Sequence, residues 1–89
     1  LNSRFTNNQS MEMARLLIRE HGENRRILIK HAYLRVLGRF PNTREIELGL
    51  EFLIEAENLH DRNATGKLLF SLQDLCHVLI NLNEFVFMQ

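Results

Sequence analysis

The chain has 89 residues, of which 45% are hydrophobic, and it carries a single cysteine. This length accommodates one domain and the apolar fraction is typical of a globular protein, so the composition excludes a multidomain or an intrinsically disordered chain. One cysteine cannot form an internal disulfide. Eleven basic side chains balance eleven acidic ones, which argues against a dedicated nucleic-acid binder.

Helical periodicity is clear in the first half of the chain. The first predicted helix covers residues 3–21, begins at a serine N-cap and is closed by Gly22. The second covers residues 24–37, is capped by Asn24 and carries two adjacent rows of apolar side chains. Gly38 follows at the position where a left-handed residue ends many helices.

A proline separates the second predicted helix from the third. Pro41 cannot continue a helix, and Asn42 with Glu45 three residues later resembles a capping box. The third predicted helix covers residues 43–58 and contains Gly49. Glycine costs about 1 kcal/mol relative to alanine inside a helix, and a close helix–helix contact would explain its presence. Structural roles at the turn and cap are predicted for Gly38, Pro41, Asn42 and Glu45.

The fourth predicted helix covers residues 67–81 and follows a polar loop from His60 to Gly66. It is apolar over more than half of its circumference, so we place it centrally, in contact with several other helices. The chain ends in an apolar segment that we expect to dock on this domain or on a partner, and Phe85 and Phe87 would alternate on one face if this tail is extended. The sequence thus predicts an all-α, compact four-helix domain with a docked C-terminal tail.

The two ends of the sequence bear on its organisation. Because the chain begins at Leu1 and not at methionine, we expect residues 1–89 to be a single helical domain that is the C-terminal subdomain or a fragment of a larger protein. Whether Leu1 marks a processing site stays open at this point. No run of 18 or more apolar residues occurs, so no membrane span is expected.

The neutral total hides a division of charge along the chain. Residues 1–44 hold nine basic and three acidic side chains, which leaves +6, whereas residues 45–89 hold two basic and eight acidic ones, which leaves −6. Within the third helix, Glu47, Glu51 and Glu55 recur at i, i+4 and i+8 and form one acidic stripe. Three interpretations of the stripe stay open: a solvated face, an electrostatic match to the second helix, or a docking site for a basic partner.

No constellation of residues in the sequence points to catalysis or to a cofactor. None of the four histidines is spaced i, i+4 from another, and neither HExxH nor CxxCH occurs. Cys76 lies on the apolar side of the fourth helix, which favours an inert core thiol over a nucleophile. In a helix-turn-helix interpretation the reading helix would be strongly acidic and would repel phosphate. We therefore predict no catalytic residue, no metal or cofactor and no nucleic-acid partner.

Three segments together resemble one known family. Residues 1–9 resemble an "NSxF…Q" pattern, residues 32–45 an "AYxxxLGRxPxxxE" pattern and residues 74–87 a "DLCxxLLNxNEFxY" pattern. In this order they are similar to the C-terminal end of a planctomycete-type domain of unknown function. The resemblance implies an exported or periplasmic setting and a large parent protein that often carries a cytochrome-c-like module. It implies no reaction.

These observations favour a non-catalytic helical structural or interaction module of a larger exported protein. Its partner would be the remainder of that protein or another protein chain. The interface candidates are Glu47, Glu51, Glu55, Phe85 and Phe87. The alternative is an accessory part of an enzyme or of a cytochrome-type electron-transfer protein whose active site lies outside this chain. A third and less favoured interpretation is a nucleic-acid or anion-binding patch on the first two helices, formed by Arg15, Arg19, Arg25, Arg26 and Lys30.

Overall fold

Four α-helices make up the fold in the computed structural model, which describes residues 3–60 and 63–88. Helix α1 spans Ser3–His21, α2 spans Arg25–Leu37, α3 spans Thr43–Leu59 and α4 spans Ala64–Met88. The all-α, four-helix architecture predicted from the sequence is confirmed. The first three helices have the predicted bounds to within one residue, because strong cap and stop signals flank them.

Asparagine side chains begin three of the helices. In each case Oδ1 accepts a hydrogen bond from the backbone N–H three residues later, at 3.1 Å for Asn24 and 2.8 Å for both Asn42 and Asn63. The Glu45 carboxylate also accepts from the Asn42 N–H at 3.0 Å, which completes a capping box at the start of α3. Each cap satisfies a backbone group that helix geometry leaves without an intrahelical partner.

Glycines with left-handed backbone conformation end α1 and α2. Gly22 has φ 79° and Gly38 has φ 73°. Their N–H groups donate to the carbonyl oxygens of Ile18 and Leu34, at 2.8 and 3.0 Å. Since residues with a side chain rarely adopt this conformation, glycine lets the chain leave the helix and start the next one after a short connection.

Helix α4 begins earlier than the sequence analysis predicted. The start was expected at Lys67, after a polar loop, but the helix begins at Ala64. The Asn63 side chain accepts from the Gly66 N–H, and the Asn63 carbonyl accepts from the Lys67 N–H at 2.9 Å. This cap organises the first turn and so offsets the weak helix preference of the threonine and glycine in it.

Helix α4 also ends later than predicted, at Met88 instead of Asn81. No glycine or proline occurs after Gly66, so nothing interrupts the helical hydrogen bonds, and the segment expected to be an extended tail is helical. The predicted docking of Phe85 and Phe87 concerns side chains outside those that the structure describes. Among the described residues, no helix combines the length and the apolar character that crossing a membrane requires.

Helix α4 lies at the centre of the fold and contacts each of the other three helices. Its buried positions are Leu68, Ser71, Leu72, Leu75, Cys76 and Leu79. The Ser71 hydroxyl donates to the Leu68 carbonyl oxygen at 3.0 Å, so this buried polar group is satisfied. Leu82 lies on the same side of the helix as the buried Leu75, seven residues earlier, but is 47% exposed.

Helices α2 and α3 approach each other closely at a glycine. Gly49 is buried, and a methyl group at this position would lie 3.1 Å from both Cδ1 and Cγ2 of Ile29. Ile29 is itself fully buried. The close contact expected from the presence of glycine inside α3 is confirmed, since any larger residue would press against the Ile29 side chain.

Candidate functional site

A groove lined by both apolar and polar side chains lies between α3 and α4. It has a volume of about 540 Å³ and is lined by Phe52, Glu55, Ala56, Leu59, Gln73, Asp74, His77 and Val78. Two of its large apolar side chains face solvent: Leu59 is 85% exposed and Val78 is 48% exposed. Neighbouring apolar side chains left in contact with water are characteristic of surfaces that bind other molecules.

The helical spacing of α3 accounts for this exposed apolar face. Leu48, Phe52 and Leu59 lie at i, i+4 and i+11, which places them on one side of the helix. The buried positions of the helix are Gly49, Leu53 and Ala56. Helix α3 therefore packs on the core with one face and lines the groove with the adjacent one.

The acidic stripe predicted from the sequence borders the groove. Glu47, Glu51 and Glu55 are all exposed, and Glu55 forms part of the groove wall. Glu47 accepts a 3.4 Å hydrogen bond from Nη1 of Arg44 on the same helix. Among the described residues, Glu51 and Glu55 have no cation within ion-pair distance. Two carboxylates without an ion-pair partner among the described residues thus lie one helical turn apart beside the exposed apolar side chains.

Other glutamates of α3 make the electrostatic contacts with α2 and the turn that follows it. Arg25 donates through Nε and Nη2 to Oε1 of Glu57, at 2.9 and 2.6 Å. Arg39 donates through Nη1 and Nη2 to the two carboxylate oxygens of Glu45, at 2.7 and 2.8 Å. The Arg39 hydrogen bond, followed by that from the Asn42 N–H, lowers the pKa of Glu45 to about 2. Because these contacts use Glu45 and Glu57, the glutamates of the acidic stripe take no part in them.

Two of the four histidines, His21 and His31, are in contact with each other, while His60 contacts Asp74 and His77 lines the α3–α4 groove. His60 Nε2 is 3.1 Å from Oδ2 of Asp74, which joins the end of α3 to α4 beside the groove. The rings of His21 and His31 are stacked with centroids 3.7 Å apart. His77 Nδ1 is buried with no hydrogen-bond partner in the part of the chain that the structure describes. The described residues contain no group of three or more His, Cys, Asp or Glu side chains placed to hold a metal ion.

The single cysteine lies inside the core. Cys76 is fully buried, and this burial raises the pKa of its thiol to about 12. At neutral pH the sulfur is therefore protonated and out of contact with solvent. Its surroundings are those of an inert packing residue, in agreement with its position on the apolar stripe of α4.

A second groove, of about 760 Å³, lies between α1, α2 and α4. Its wall carries charges of both signs, with Glu12 beside Arg19 and Arg35. The groove between α3 and α4 differs because the described residues of its lining include carboxylates and no lysine or arginine. A single sign of charge beside exposed apolar side chains makes the α3–α4 groove the stronger candidate for selective binding.

The predicted interface residues meet the groove only in part. Glu55 lies in the groove wall, and Glu47 and Glu51 continue the same stripe along α3. Sequence reasoning missed the apolar part of the site, above all Leu59 and Val78. Leu59 lies seven residues after Phe52, so the sequence does indicate that both side chains share a side of α3 next to the buried one. The facing wall belongs to α4, and the sequence does not show how α4 packs against α3.

Comparison of the chain with family models, with curated proteins and with solved structures gives no match. The resemblance to the planctomycete-type domain stays a prediction. Function is therefore inferred from the side chains of the groove and their geometry.

Proposed function

We propose that this chain is a non-catalytic helical interaction module that binds another polypeptide in the α3–α4 groove. The observation that carries the proposal is the exposure of Leu59 and Val78 in a groove whose charged side chains are carboxylates. Covering a large apolar side chain contributes about 1.5–3 kcal/mol, which is enough to drive a helix-in-groove contact. The carboxylates Glu51 and Glu55 favour a partner that carries basic side chains.

The proposal includes the setting that the family resemblance implies. In that setting the module belongs to a larger exported or periplasmic protein, and the partner is the remainder of that protein or another protein chain. The stripe of Glu47, Glu51 and Glu55 is the polar border of the interface, and the apolar groove is its centre. This division into an apolar centre and a polar rim is the usual anatomy of protein interfaces.

Titration with a synthetic peptide tests the proposal. The probe is an amphipathic helical peptide of leucine and lysine with lysines spaced i, i+4, and the control peptide has glutamate in place of lysine. We expect the lysine peptide to shift the NMR signals of the groove residues and the glutamate peptide to leave them in place. Added salt should weaken the binding because the carboxylates are exposed.

Two matched substitutions locate the binding site. Leu59→Ser should weaken binding of the lysine peptide about tenfold or more, since a large apolar contact is lost. Ile54→Ser removes another exposed aliphatic side chain of α3 that lies outside the groove, and it should leave the affinity unchanged. Absence of binding by the lysine peptide, or equal weakening by both substitutions, would contradict the proposed function.

A further inference from the structure

Helix α2 presents an exposed face that combines apolar and basic side chains. Ile27 is 40% exposed and Leu34 is 38% exposed. Arg26 and Lys30, both exposed, lie beside them. These four positions span about 100° of the helix circumference and so form one continuous surface, which we call the cationic face.

Within the described part of the chain, the charges of the cationic face have no ion-pair partner. The other arginines of α2 are paired, Arg25 with Glu57 at 2.6 Å and Arg35 with Glu20 at 3.0 Å. No described carboxylate lies within ion-pair distance of the two cations on this face. The face therefore keeps both its charge and its apolar side chains available to another molecule.

The α3–α4 groove and its border repeat this pattern with the opposite charge. Glu51 and Glu55 are four residues apart, as the cations of α2 are, which is about 6 Å along either helix. Phe52 and Leu59 are seven residues apart, as the apolar side chains of the cationic face are. We call these four α3 residues, together with Val78 of α4, the acidic groove.

We propose that the occupant of the acidic groove is the cationic face of a second copy of this chain. This inference rests on the proposed function, because it names the partner of the same groove. A chain whose net charge is zero has no overall repulsion to overcome when copies approach, and its two oppositely charged halves attract. Part of the charge separation is used within the molecule, in the Arg25–Glu57 and Arg39–Glu45 pairs, and the cations and carboxylates of these two surfaces then serve association between molecules.

The helical geometry also fixes the orientation of the contact. On both helices the apolar side chains lie on the same rotational side of the charged ones. An antiparallel approach therefore sets cations against carboxylates and brings Ile27 beside Phe52, with Leu34 and Leu59 at opposite ends of the contact. A parallel approach sets charged side chains against apolar ones. The two surfaces differ, so the contact is heterologous and each added copy leaves one surface of each kind free.

Helix α1 supplies a matched comparison. Arg15 and Arg19 are also exposed and spaced i, i+4. Among the described side chains of α1, no large apolar residue is exposed beside them. Their charge alone does not reproduce the pattern of the cationic face, so reversing their charge provides the control.

Sedimentation velocity over a range of concentration tests the inference. The average mass of the wild-type chain should rise toward millimolar concentration, and added salt should reduce the rise. Each of the double variants R26E/K30E and E51K/E55K should weaken association about tenfold or more, because attraction becomes repulsion. Circular dichroism checks that every variant remains helical.

Two fourfold variants, both with zero net charge, separate specific docking from general charge effects. The variant R26E/K30E/E51K/E55K reverses both surfaces and should regain association. The variant R15E/R19E/E51K/E55K keeps the basic α2 face opposite a basic groove and should stay monomeric.

A wild-type chain that stays monomeric at millimolar concentration would overturn the inference, as would equal behaviour of the two fourfold variants. The peptide titration distinguishes this failure from failure of the proposed function. If the lysine peptide binds the groove while the chain stays monomeric, the groove binds a different polypeptide and only the inference fails. If the lysine peptide does not bind, the proposed function fails as well.

Discussion

Glycine at position 49 sets the distance between α2 and α3. In the sequence it is an unfavourable residue in the middle of a helix. In the structure the space that a side chain would take is filled by Ile29, a fully buried and β-branched residue with little freedom to rotate. The local disadvantage of glycine is thus offset by the packing of a residue twenty positions earlier in the chain.

Replacing this glycine should destabilise the fold. Alanine gains about 1 kcal/mol in helix propensity, but contacts of 3.1 Å with Ile29 force overpacking, which costs about 1–3 kcal/mol. We expect Gly49→Ala to lower the free energy of unfolding by about 1 kcal/mol, measured by urea denaturation.

The same substitution in an Ile29→Val background should cost less, because the Cδ1 methyl that crowds the new side chain is absent. A Gly49→Ala chain more stable than wild type would mean that Ile29 moves aside freely and that the contact does not require glycine.

At the scale of helices, the turn between α2 and α3 combines several local signals. Gly38 ends α2, Pro41 prevents its continuation, and Asn42 with Glu45 begins α3. Arg39 adds a contact that the sequence did not reveal, since both of its terminal nitrogens donate to the Glu45 carboxylate. One glutamate therefore serves as a capping residue and as the anchor of the preceding connection.

The Glu45 contact should make stability depend on acid pH. Because its folded pKa is lowered to about 2, its contribution is fully present above its unfolded pKa of about 4.3 and is lost as the pH falls from there through 2. Glu45→Gln keeps a capping side chain but removes the charge. We expect its urea midpoint to lie a few tenths of a molar at most below wild type at neutral pH, since the pair is solvent-exposed.

The difference in midpoint between the two proteins should then shrink as the pH falls from about 4.5 to 2. Glu47→Gln is the control, because it removes a charge from the same end of α3 without touching Arg39. A difference between wild type and Glu45→Gln that stays constant down to pH 2, or that Glu47→Gln reproduces, would contradict the assignment to the Arg39 pair.

The molecule as a whole is organised around α4. This helix contacts α1, α2 and α3, and its buried leucines form the centre of the core. The radius of gyration of 12.3 Å agrees with the value of about 12 Å expected for a compact chain of this length. We therefore expect the buried side chains of α4 to become exposed only when its contacts with the other three helices are lost.

Alkylation of Cys76 should report this global opening. Its burial and its pKa of about 12 both suppress reaction with iodoacetamide, so at pH 8 we expect labelling of the native chain to be slower than in urea by at least about 10³-fold. Val78→Cys in a Cys76→Ala background places an exposed thiol on the same helix and should react at once. Rapid labelling of Cys76 in native conditions would show that α4 opens locally, without global unfolding.

The sequence by itself determined where the first three helices lie, which residues cap them and which helix is central. These features depend on residues within about four positions of one another, such as Asn42 with Glu45, or on the periodicity of one segment. The end of α4 was predicted wrongly at Asn81, where polar side chains can satisfy the open carbonyls of a helix end; without a glycine or proline the helix continues to Met88.

Only the tertiary structure decided which charges are neutralised and which apolar side chains remain exposed. Arg25 and Glu57 are 32 positions apart, and nothing near either residue in the sequence indicates that they pair. The groove likewise arises because α3 and α4 meet at an angle that leaves Leu59 and Val78 uncovered. Such outcomes depend on how whole helices pack, and packing is fixed by contacts between distant parts of the chain.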